Sequence, residues 1–203
     1  MNHLLRKLTL AASIVAVAFA LTATSAQAQK IYVVQGGRTT VTLSKAFLAD
    51  LTALKITTTA NFDSQIYLDQ VFFPITSGAI NLDNAAGQML HSGGITLTAG
   101  TKQVRLESFI LSTLGEQGYI TALVVANGKF LGRINLFDVD FPSSLTLPID
   151  PKSGDFFLPT NLNLDPQGAS ALNDAFGVKT FQDNLYMGYA LSLAFVPLSA
   201  DGQ

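Results

Sequence analysis

The stretch "MGYALSLAFV" sets Met187, Tyr189, Leu191, Leu193 and Phe195 in alternation with Gly188, Ala190, Ser192 and Ala194. A period of two sends successive side chains to opposite faces of an extended chain, which a helix does not do. The segment is predicted to be a strand with its large face in the core. In "KQVRLESFIL", Val104 and Leu106 alternate with Gln103, Arg105 and Glu107, and the alternation breaks from Phe109 to Leu111 as though both faces became covered. In "YITALVVANGKFLGRINLFDV" two apolar runs flank Asn127-Gly128, a pair that accepts positive φ and predicts a two-residue hairpin. Further strands are expected at Ile31 to Val34, Thr39 to Leu43, Ile66 to Ile75 and Ile95 to Thr98. The tract "FPSSLTLPIDPKSGDFFLPTN" carries four prolines and is expected to cross the surface as a loop or edge segment.

Two segments depart from this period. In "TVTLSKAFLADLTALKI", Ser44 is a candidate N-cap and Phe47, Leu48, Leu51 and Leu54 recur at helical spacing, predicting a helix from Lys45 to Leu54. In "NLNLDPQGASALNDAFGV", Asp165 precedes Pro166 at the first helical position and Gly177 supplies the stop, predicting a helix from Pro166 to Phe176. Each helix follows an alternating leucine-bearing strand. The two units are either a remnant repeat or two helices capped by common rules. The expected fold class is mainly β, an antiparallel β-sandwich or a closed barrel-like sheet, with two short helices.

The chain of 203 residues opens "MNHLLRKLTLAASIVAVAFALTATSAQAQK", a basic segment, an apolar run and a small-residue ending. That layout predicts a signal peptide over residues 1–28, cleaved after Ala28, and one domain over 29–203. The product is expected to be secreted, periplasmic or at the cell surface. Loss of Arg6 and Lys7 with the leader leaves ten basic residues against fourteen acidic ones, which argues against nucleic acid as a partner. Cysteine is absent, so stability rests on packing without disulfides. No second long apolar run follows and tryptophan is lacking, so the protein is not expected to be integral to a membrane by helix or barrel.

Catalytic chemistry finds few candidates. There is no thiol and no G-x-S-x-G, and His91 is the only histidine once His3 leaves with the leader, so neither a catalytic triad nor a zinc site is expected. Asp138, Asp140, Asp150 and Asp155 match no EF-hand loop and read as solvated turn carboxylates. Glu107 and Glu116 are the only glutamates, so a hydrolase would have to work through aspartates. In "GQMLHSGGITLTAG", Gly93-Gly94 supplies a turn between a strand ending at Met89 and Leu90 and another beginning at Ile95 and Leu97. On that reading His91 is a surface or rim histidine beside the turn.

A second reading of His91 comes from resemblance. The order "FPITSGAINLDNAAGQMLHSGGITLTAGTKQVRLESFIL...YITALVV" resembles the core of the HtaA-type domain of secreted and surface-bound bacterial proteins, some of which bind haem. Phe73, Pro74, Gly87, His91, Gly93 and the strand from Val104 carry the resemblance over residues 71–126. It implies that a tyrosine near the start of the domain ligates haem iron in the binding members while the histidine supports it. Here "VTLSKAFLADL" offers Phe47 in that place, and a phenyl ring cannot coordinate iron. The candidate ligand-binding residues are therefore His91 with Tyr67 or Tyr32 as substitutes, and haem is the cofactor that the resemblance brings forward. The sequence thus describes an exported, non-enzymatic β-domain that works by binding or assembly. Its partner is a small ligand or an envelope component, and self-association stays open. A structural or adhesive surface protein and an aspartate hydrolase are the rival readings.

Overall fold

The computed structural model describes residues 30–151 and 153–197, and the expected leader lies outside them. Among the described residues twelve strands occur: β1 (Ile31–Val34), β2 (Gly36–Leu43), β3 (Thr57–Asn61), β4 (Gln65–Tyr67), β5 (Gln70–Asn81), β6 (Ala86–His91), β7 (Gly94–Ala99), β8 (Lys102–Ser112), β9 (Gly118–Ala126), β10 (Lys129–Asp140), β11 (Asp155–Leu164) and β12 (Tyr186–Phe195). Helix α1 (Lys45–Ala53) follows β2, and α2 (Pro166–Phe176) follows β11. All strand pairs are antiparallel. In the order β5-β2-β12-β11-β10-β9-β8-β6 and back to β5, eight strands close into a barrel. β7 and β3 extend outward from β8, while β1 and β4 lie along β5. Closure leaves the barrel strands without an open edge and gives the chain one enclosed core.

Both helices form where their caps indicate. The Ser44 hydroxyl accepts from the Phe47 amide, and the Asp165 carboxylate accepts from the Gln167 amide. Gly177 ends α2 in the left-handed region. Because β2 and β11 flank β12 in parallel to each other, the two strand-to-helix units leave the barrel at the same end. Phe47 of α1 and Phe181, just beyond α2, meet there with ring centroids 6.2 Å apart. The two helices thus cap one end of the barrel.

Four expectations change. In β12 the small face points inward: Gly188, Ala190, Ser192 and Ala194 are buried, while Tyr189, Leu191 and Leu193 are half-buried and Phe195 is exposed. An eight-stranded barrel has little room inside. Tyr189 and Leu191 instead border a depression of ≈ 490 Å³ beside the loop bearing Leu145, Pro148 and Ile149. In β8 the alternation breaks at a bulge, not because both faces are covered. Ser108 takes φ 54°, the register shifts between Glu107 and Ile110, and Phe109 and Leu111 return to the buried face. The single strand expected from Ile66 to Ile75 is two strands, since Leu68 turns the chain at φ 55°. The end of the proline tract is β11 itself. Pro159 is tolerated because β10 pairs with β11 only from Asn161 onward. The Asn127-Gly128 hairpin is present, with φ 50° and 83° and Ala126 opposite Lys129.

Candidate functional site

His91 ends β6 on the inner face, next to β5, and is buried at 8 % exposure, so it is not the rim residue its neighbouring glycines suggest. Gly93, at φ 80°, does not turn the chain back on itself. It redirects the chain from β6 in the barrel wall to β7 in the outer extension, which pairs with β3 and β8. The bulged part of β8 brings the Phe109 carbonyl to 3.3 Å from His91 Nδ1. On the other side, Thr39 Oγ1 of β2 lies 2.7 Å from His91 Nε2 and 2.7 Å from Ser192 Oγ of β12.

The donor directions follow from chemistry. A carbonyl only accepts, so Nδ1 carries the ring proton and Nε2 of the neutral imidazole accepts from Thr39. The Thr39 hydroxyl has then spent its proton, so Ser192 donates to it. This one-way chain, Ser192 to Thr39 to His91 to Phe109, ties β12, β2, β6 and β8 together across the core. Burial pushes the His91 pKa down to about 4, outweighing the opposing influence of the backbone hydrogen bonds at Phe109 and Met89. The imidazole is therefore uncharged at neutral pH.

His91 and Thr39 stand at one end of an interior cavity of ≈ 80 Å³ whose wall exposes no polar atom. Phe47, Leu43 and Met187 stand toward its other end, near the helices, and Leu136, Leu162 and Phe109 form part of the sides. Phe109 packs against Phe73 with ring centroids 4.8 Å apart. An empty apolar cavity of that size lowers stability by about 2 kcal/mol. Val41, Leu43, Thr58 and Ile95 also line it and are half-buried, so the cavity reaches toward the surface between β2, β3 and β7.

The structure brings His91 and Phe47 to the same cavity but does not place either candidate tyrosine with them. Tyr32 pairs with Ile80 and Tyr67 with Gln70, whereas His91 pairs with Ile75. Each tyrosine is five residues along β5 from that point, about 17 Å at the rise of a strand. Tyr67 is 68 % exposed, and the Lys30 ammonium lies 5.1 Å from the centre of the Tyr32 ring. Thr39 was legible only as a polar residue on an expected strand, and Ser192 lay on the face of its strand that the sequence pattern assigned to the outside.

The aspartates form a different place. Asp138 and Asp140 belong to β10, not to a turn, and Asn163 donates to Asp140 at 2.9 Å. The Asp138 carboxyl is raised from its ordinary pKa by burial, then by the charges of Asp165, Asp183 and Asp140. None of these carboxylates lines the cavity. Among the described residues no group of three or more metal-ligating side chains occurs, and no helix is long and apolar enough to cross a membrane.

No family model matches the chain, and no curated protein sequence does. Solved structures do. The C-terminal domain of HtaA from Corynebacterium glutamicum superposes with a TM-score of 0.65 at 17% identity, covering 82% of this chain and 99% of that one. The domain-swapped dimer of its H434A variant gives 0.54 at 19% identity, covering 74% and 90%. The haem-binding protein HtaB of the same organism gives 0.57 at 8% identity, covering 83% and 96%.

Proposed function

On the premise that the chain has the fold of an HtaA-type domain, we propose that it is a non-catalytic binding module whose small ligand enters the cavity between His91 and Phe47. One observation carries this reading. The cavity is enclosed by the barrel and its two helices, is wholly apolar, and leads outward past half-buried Val41 and Thr58. Filling such a space recovers the stability it costs. The polar chain at His91 is spent on internal hydrogen bonds, and no carboxylate reaches the cavity to act as an acid or a base.

Haem is the ligand that HtaB suggests. The residues at His91 do not fit it. The cavity of ≈ 80 Å³ is well below the ~300 Å³ at which pockets for larger ligands begin. The lone pair of His91 Nε2 is held by Thr39, Phe47 supplies no oxygen, and no charged side chain lines the wall for the propionates. Met187 does line it, but lies five residues along β12 from Ser192, about 17 Å from the histidine end.

The test is a nitrogen-proton correlation spectrum of the protein titrated with a panel of small apolar compounds and with hemin. The expected result is perturbation centred on Val71, Leu136, Leu162 and His91 by at least one compound. A panel that leaves these residues unmoved removes the reading.

Self-association is a second reading with its own observation. β3 ends the sheet with one edge unpaired, and Phe62 and Leu68 stand 79 % and 81 % exposed at left-handed backbone positions. Domain swapping in the HtaA variant is compatible with it. Light scattering that reports only monomer at every concentration would contradict it. Export, with Gln29 as the new N-terminus, belongs to the same proposal and is read from the intact mass of the exported protein.

A further inference from the structure

Resting on the cavity as ligand seat, we infer that what it takes is the uncharged end of an unbranched aliphatic chain. The shape argues this first. Thr39, Val41 and Leu43 are successive lining positions on β2, so the wall runs about 13 Å from the His91 end to the α1 end. A volume of ≈ 80 Å³ admits about four or five methylene groups, the end of a chain and not the whole of it. A fused ring system does not enter such a space, whereas about the last four or five carbons of an extended chain do.

Chemistry argues the same. Leu43, Leu97, Leu136 and Leu162 line the channel with Phe73 and Phe109, and no lysine, arginine, aspartate or glutamate does. A charged or sugar-bearing group inside would lose its hydration without a partner. At the inner end Thr39 and His91 are already paired with each other, so the chain terminus meets no unsatisfied donor. Half-buried Val41, Leu43, Thr58 and Ile95 mark the outer end. A head group would therefore remain outside, on the side of β3 and β7.

The probes are 1-decanol as a free chain, n-dodecyl-β-maltoside below its micellar concentration as a chain carried by a head group, and cyclooctane as a ring of comparable carbon count. Decanol is expected to shift the amides of Thr39, Val71 and Leu136, with contacts between its terminal methyl protons and the Val41 and Thr39 methyls. Val41→Phe narrows the channel and is expected to weaken decanol binding at least tenfold, with the spectrum of the Asn127-Gly128 hairpin unchanged as a check on folding. If Val41→Phe does not fold, Val71→Leu serves in its place. Binding of decanol alone assigns a free chain, and binding of both chains assigns one attached to a head group. Cyclooctane binding as tightly as decanol, or ring compounds perturbing the cavity while neither chain does, overturns the inference and leaves the binding module standing. If no compound perturbs the cavity, both readings fall together.

Discussion

Thr39 Oγ1 lies 2.7 Å from His91 Nε2, and this one hydrogen bond joins two strands that are 52 residues apart in the chain. With the Phe109 carbonyl fixing the ring proton on Nδ1, it occupies the Nε2 lone pair that a metal would need.

The first consequence is a pH dependence. His91 titrates at 6.5 when unfolded and at about 4 when folded, so between these values the unfolded chain binds a proton that the folded one refuses. Stability is unaffected by this group above pH 6.5, falls as pH drops toward 4, and levels off below. The loss over the window is about 3 kcal/mol. Denaturant unfolding of the wild type and of His91→Gln across this range should show a steeper loss of stability in the wild type. Parallel curves would mean that His91 is solvated.

Thr39→Val keeps the shape of the side chain and removes its hydroxyl. His91 Nε2 and the Ser192 hydroxyl, 0 % exposed, then lose their partner. Leaving buried polar groups unpaired should lower stability by about 1–3 kcal/mol. A melting temperature equal to that of the wild type would show that the chain of hydrogen bonds is not formed.

Phe47→Tyr supplies the hydroxyl that the resemblance to haem-binding domains asks for. Phe47 is buried against a wall that exposes no polar atom, so the new group meets no acceptor there. A destabilisation of about 1–3 kcal/mol is expected in chemical denaturation. An unchanged midpoint would indicate a polar partner near Phe47.

Gly128→Val places a β-branched side chain at φ 83°. The strain should cost about 1–3 kcal/mol and disturb α2 as well, because Asn127 Nδ2 donates to the Ala175 carbonyl at 2.9 Å. Thermal melts check the first part, and amide exchange at the end of α2 checks the second. An unperturbed α2 would separate the hairpin from the helix.

Both helices and the Asn127-Gly128 hairpin were readable because each is fixed by local chemistry: a capping oxygen, a proline at the first helical position, or a pair that tolerates positive φ. The burial of β12 was not. Alternation gives two faces, and only closure of the barrel decides that Ala190, Ser192 and Ala194 rather than Leu191 and Leu193 fit inside. His91 stood out in the sequence, yet its burial and its partners depend on β2, β8 and β12 arriving from distant parts of the chain. The bulge at Ser108, which delivers the Phe109 carbonyl, appears in the sequence only as a break in a pattern.

The most direct measurement is an absorbance titration of the purified domain with hemin. With Nε2 of His91 held by Thr39, Phe47 without an oxygen and a cavity of ≈ 80 Å³, no saturable one-to-one Soret band is predicted, and excess hemin should leave the amides of Val71 and Leu136 in place. A tight stoichiometric complex whose Soret band weakens in His91→Ala would contradict the account and make the cavity a haem site.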